Sequence, residues 1–149
     1  MHLPAELPEP ETEHQRLVLA ADLALLGLAE RLRQHWTRHT AAVGLSNAQI
    51  KVLLLLEPSR PQPMRALAVS LDYDTSNLSS LVDRLERRGA VERRPDAGDR
   101  RVKALVLTPE GLRLRETFWR ALTADPGPMA PLDVEQLRTL VGVLETAAD

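Results

Sequence analysis

The chain has 149 residues, 44% of them hydrophobic and 27% charged, with a formal net charge of −2; this is the composition of one globular domain rather than of a disordered chain. Aromatics are 3% and cysteine is absent. The core must therefore come from Leu, Val and Ala, and disulfides, thiolate zinc sites, cysteine nucleophiles and thiol redox switches are excluded. No apolar run reaches the ~18 residues of a membrane span, and the N-terminus carries acids where a secretory signal carries bases, so a cytoplasmic protein with no membrane partner is expected.

Residues 1–11 hold Pro4, Pro8 and Pro10 among acids and read as a flexible arm. From 12 to about 43 there is no proline, and Leu17, Ala21, Ala24, Leu28, Leu32 and Trp36 recur every three or four residues. That stripe predicts one long helix, widened by Leu19, Leu23 and Leu26 into an apolar surface too broad for a single partner. Ser46 with Gln49 makes a capping box, stapled by Leu45 and Ile50, and opens a second helix that ends before Pro58. Residues 59–63 read as a loop. A short helix follows with Met64, Leu67, Ala68 and Leu71 inward. After a turn at 72–74, Asp74 is placed to cap a helix that carries Leu78, Leu81, Val82 and Leu85 on one face. Residues 90–94 and 102–107, joined by a Pro-Asp-Ala-Gly-Asp turn signal, predict a β-hairpin. Thr108-Pro109-Glu110 begins a helix to about 124. Prolines 126, 128 and 131 break it, and the staple and box at 132–137 open a last helix to about 147.

The charge is unevenly distributed. Residues 1–13 carry four acids and no Lys or Arg, whereas residues 84–103 carry eight bases against four acids. A basic segment between acidic ends points to a polyanionic partner despite the negative total. Helix, turn, short helix, tight turn, helix and hairpin is the order of a helix-turn-helix with a β-wing. Ser76, Asn77 and Ser80 are short enough to let the helix sit deep in a major groove and bond base edges. Arg84 and Arg87 reach flanking phosphates. Arg100 and Arg101, at the hairpin tip, suit a narrow minor groove, Arg101 above all.

The run 77–91, Asn-Leu-Ser-Ser-Leu-Val-Asp-Arg-Leu-Glu-Arg-Arg-Gly-Ala-Val, resembles the recognition helix of the MarR (multiple antibiotic resistance regulator) family. Asp99-Arg100-Arg101, followed after six residues by Thr108-Pro109-Glu110-Gly111, is similar to that family's wing and the start of its fifth helix. Ala90 departs from the pattern, where a larger apolar residue is commoner. The resemblance implies a mainly α fold with a small β-hairpin, in which a winged helix-turn-helix core (45–107) is flanked by dimerisation helices at 12–44 and 108–149. It also implies a homodimer on a pseudo-palindromic DNA operator, acting as a repressor and released by a small aromatic or lipophilic effector. Trp36, His39, Arg65, Phe118 and Trp119 are the candidates for that effector's pocket.

His35 and His39, four apart on one helix, have the spacing of two zinc ligands, but no third ligand is evident in the sequence, and neither a metal nor a cofactor is expected. No phosphate loop, nucleophile elbow or paired carboxylates support an enzyme. The competing reading is a winged helix used as a protein-interaction module; it leaves unexplained why bases gather on the recognition helix and wing together.

Overall fold

A computed structural model describes residues 10–95 and 103–148. The first element is a 30-residue helix, α1 (Glu13–Ala42), opened by a capping box in which the Thr12 hydroxyl accepts from the Gln15 N–H and the Gln15 side chain accepts from the Thr12 N–H. The Ser46/Gln49 box forms as expected and starts α2 (Asn47–Leu55). Leu45 and Ile50 of its staple are both buried. Helix α3 (Met64–Leu71) ends at Asp72 in the left-handed region (φ +53°), a conformation that Asp tolerates better than most residues. Three residues later α4 (Thr75–Arg87) begins.

The loop expected at 59–63 contains a strand. Gln62–Pro63 (β1) pairs antiparallel with Lys103–Leu107 (β3), which also pairs with Val91–Pro95 (β2), so the sheet order is β1-β3-β2. The wing is thus a hairpin with a third, two-residue edge strand. Proline is tolerated there because an edge strand needs no donor on its outer side.

The core lies between α2, α3, α4, the sheet and α5 (Pro109–Ala124): Ile50, Leu53, Leu78, Val82, Leu85, Leu105 and Phe118 are fully buried. Helix α5 is seated by its first turn. The Thr108 hydroxyl accepts from the Gly111 N–H at 3.0 Å and donates to the Gly89 carbonyl at 2.6 Å. A Cβ on Gly111 would run into the Ala90 carbonyl, so the Thr-x-x-Gly sequence marks the close approach of α5 to the end of α4. At its far end, Phe118 meets Trp36 of α1 edge to face at 5.4 Å.

After a 3-10 turn at Gly127–Met129 comes α6 (Val134–Ala148), opened by a reciprocal Asp133/Gln136 box. It buries no residue. No described helix is long and apolar enough to cross a membrane.

Candidate nucleic-acid interface

Helix α4 has three faces, set by the 3.6-residue repeat. Leu78, Val82 and Leu85 form the buried face. Ser79, Asp83 and Glu86 face β2, where Arg93 binds the Asp83 carboxylate at 2.5 Å, pairs with Glu86, and lies 3.5 Å from the Ser79 carbonyl. Ser76, Asn77, Ser80, Arg84 and Arg87 make the third face, which is exposed. Their side chains form no hydrogen bond or ion pair with any described residue, unlike the Asp83 and Glu86 carboxylates of the second face. Asp74 occupies the N-cap position, but through its backbone alone: its carbonyl accepts from the Leu78 N–H, and its side chain makes no cap bond.

The pairs with Arg93 keep the acids of α4 on a different face from Arg84 and Arg87. Partial burial works against the Arg93 cation, but Asp83 and Glu86 outweigh it and hold its pKa above the ordinary value. Both acids of α4 are thereby held against β2 and half of their charge is offset, and the exposed stripe is left polar at its N-terminal half and cationic at its C-terminal half. Arg94 is engaged by Glu92, whose carboxyl is held below its usual range by that hydrogen bond. Arg88 turns away from the stripe to donate to the Val43 and Gly44 carbonyls at the end of α1. The arginines of the basic segment thus divide: Arg88, Arg93 and Arg94 are bound within the fold, and Arg84 and Arg87 are presented outward. Arg100 and Arg101, the wing-tip candidates, lie outside the described residues.

The five pocket candidates do not converge on one cavity. Trp36 lines a groove of about 590 Å³ with Ala29, Leu32, Ala48, Lys51 and Tyr73, between α1, α2 and the turn of the helix-turn-helix. Phe118 is fully buried beneath Trp36 and belongs to the core. Trp119 is 51% exposed and opens onto a different groove with Leu54 and Arg115. His39 bonds Asp125. Arg65 lies in a third groove, with Val69, Asp72, Asp74 and Thr75, beside the N-terminus of α4. The sequence places Arg65 on α3 but carries no signal for which side of the turn it faces. In the fold it stands next to the recognition helix rather than near Trp36.

The MarR family model matches residues 45–103, which span α2, α3, α4 and the wing. A protein of Thauera aromatica assigned to transcriptional regulation of the hcr operon is 28% identical over 120 residues, covering 80% of this chain and 72% of that protein. The HTH-type transcriptional repressor YetL of Bacillus subtilis is 29% identical over 98 residues, covering 64% of this chain and 59% of YetL. Among solved structures, the transcriptional repressor CouR bound to a 23-mer DNA duplex superposes with a TM-score of 0.78 at 27% identity, over 94% of this chain and 100% of that one.

Proposed function

We propose that this chain is a DNA-binding regulator of the MarR family of winged helix-turn-helix proteins, whose model it matches over residues 45–103, and that it acts as a cytoplasmic homodimeric repressor on a pseudo-palindromic operator and is released by a small aromatic or lipophilic molecule. The observation that carries the DNA-facing assignment is the stripe Ser76, Asn77, Ser80, Arg84 and Arg87, exposed on a helix whose own two acids are both turned to Arg93 on another face. Ser76, Asn77 and Ser80 read base edges, and Arg84 and Arg87 hold phosphates. Arg65, beside Thr75, is added as a backbone contact. Arg100 and Arg101 take the minor groove on the chemistry of their sequence alone.

The dimer is supported by what the single chain leaves uncovered. Helix α6 buries nothing, and Leu26 and Val134 are 69% and 71% exposed. Two copies joined through α1, α5 and α6 present two α4 helices, as successive major grooves ~34 Å apart require. For the effector, the groove under Trp36 has a suitable size and a mostly apolar lining edged by Arg33 and Asn47, with Lys51 available to pair with an acid group.

The test is binding of the untagged protein to the DNA flanking its gene, followed by footprinting and a salt series on the protected site and on scrambled duplex. A protected inverted repeat, bound more tightly than scrambled duplex with an affinity that falls steeply with salt, is expected. No salt-dependent affinity for any duplex would instead favour a protein-interaction module. Titration of aromatic acids then tests release, which requires unequal affinity for the free and the DNA-bound forms.

A further inference from the structure

One cluster plays no part in the DNA-binding reading. His35 and His39, one turn apart near the C-terminus of α1, both face Asp125, the C-cap of α5, which lies 86 residues from His39 in sequence. His39 Nε2 is 3.1 Å and His35 Nδ1 3.7 Å from the same oxygen, Asp125 Oδ2, and the three ligand atoms lie within 4.8 Å of one another. We propose that His35, His39 and Asp125 form a binding site for one divalent transition-metal ion of the Zn²⁺ class.

The geometry suits that ion. With Zn–N and Zn–O bonds of ~2.0–2.1 Å, ligand atoms of a tetrahedral site stand about 3.3 Å apart. The two distances to Oδ2 bracket that value, and closing the remaining edge asks only for small side-chain rotations. Two imidazoles and one carboxylate leave a fourth position for water, the donor set of an open zinc site.

The surroundings are arranged to hold the ligands. The Gly127 N–H donates to Asp125 Oδ1 at 3.1 Å, which fixes the carboxylate and leaves Oδ2 to the histidines. The His35 ring, 2% exposed as a residue, lies flat against Gly127: a Cβ there would meet ring atoms at 2.6 Å. Gly127 also has φ +54°, so its lack of a side chain serves both the turn and the ring.

Arg38 is the one described cation bonded to the cluster, with Nη2 at 3.2 Å from His35 Nδ1. An arginine is always protonated, so it donates in this contact. Two imidazole nitrogens and a carboxylate oxygen converging on one point make a place for a cation. Arg38 supplies it at the edge, and its exposed side chain can swing out when a metal ion takes the centre. The ion then links α1 to the connection between α5 and α6.

The experiment uses full-length protein without a histidine tag. Zn²⁺ is titrated against a chromophoric chelator, and Co²⁺ binding is followed by its visible absorption. One Zn²⁺ per chain is expected, a four-coordinate Co²⁺ spectrum, and a rise in Tm with added Zn²⁺. His39→Ala and Asp125→Asn change groups outside the core, and circular dichroism checks that they fold. Each should weaken Zn²⁺ by about 100-fold or more, beyond what loss of an outer hydrogen bond to a ligand costs. Absence of stoichiometric binding at micromolar Zn²⁺ overturns the site. So does a loss below about tenfold in either variant, since the ion would then be held elsewhere, for instance by His2 or His14. The outcome is independent of whether the protein binds DNA.

Discussion

Arginines 84, 87, 88, 93 and 94 lie within eleven residues, yet they do different work, and their partners say which. Asn77 is exposed, neutral and near the start of α4, where a side chain reaches base edges. Asn77→Ala should alter sequence preference, costing about 1–3 kcal/mol at one base pair per half-site and little on scrambled duplex. Arg84→Ala and Arg87→Ala should weaken specific and non-specific binding together. Each should lower the slope of log affinity against log salt by about one for every phosphate left without its arginine in each subunit. Salt series on operator and scrambled duplex separate the two behaviours; a uniform loss in Asn77→Ala with unchanged slopes in the arginine variants reverses the assignment. Arg93 behaves differently again, because it touches the fold. Arg93→Ala removes charge-assisted bonds to Asp83 and Glu86, at a cost of about 1.5–3 kcal/mol in chemical denaturation. It also uncovers two carboxylates on the helix proposed to face DNA, so operator affinity should fall further than the lost stability explains. Unaltered affinity in a folded Arg93→Ala protein would show that this face does not meet a polyanion.

At the scale of elements, local chemistry decides where helices begin. The boxes at Ser46/Gln49 and Asp133/Gln136 and the cap at Thr108 were legible in the sequence because each is complete within four residues. Elements whose existence depends on a distant partner were not. Strand β1 is two residues long and contains a proline; only the edge of β3, some forty residues later, makes it a strand. The surroundings of Arg65 were hidden for a related reason, since spacing gives a residue's angle on its own helix but not the neighbour that helix faces. The Thr108-x-x-Gly111 sequence could be recognised, but its cause shows only in three dimensions, where α5 approaches the Ala90 carbonyl. Gly111→Ala tests that cause. Helix propensity favours Ala by ~1 kcal/mol. The clash of Cβ with backbone, which cannot rotate away, opposes it with roughly 1–3 kcal/mol. Net destabilisation is expected in denaturant, whereas a stabilised variant would mean that α5 is free to shift.

In the whole molecule, covered and uncovered surfaces divide by element. The winged helix-turn-helix closes over its own core, while the N-terminal half of α1 and all of α6 stay open. Between them run specific ties. Asn47, at the start of α2, accepts from the Thr40 hydroxyl and donates to Thr37 and to the Arg33 carbonyl; Arg88 binds the end of α1; Arg115 of α5 donates to the Leu56 carbonyl at 2.8 Å. These bonds connect the orientation of α4 to that of α1 and α5, so the relation between two subunits would set the spacing of two recognition helices. The apolar stripe of α1 was visible in the sequence as a surface in want of partners; the 86-residue separation of His39 and Asp125 hid the cluster they form. The proposed dimer can be tested on α6. Leu144 is exposed in the single chain, and there Leu144→Glu should change stability by no more than about 0.5 kcal/mol. In an obligate interface the same carboxylate would be buried among apolar side chains without a partner, at a cost of several kcal/mol. Wild-type protein should sediment as a dimer at micromolar concentration, with a Tm that rises with protein concentration. Leu144→Glu should dissociate or aggregate, and should lose operator binding although α4 is untouched. A wild-type monomer whose Tm is unaffected by Leu144→Glu would leave α6 as a solvent-exposed helix and remove the basis for two coupled half-sites.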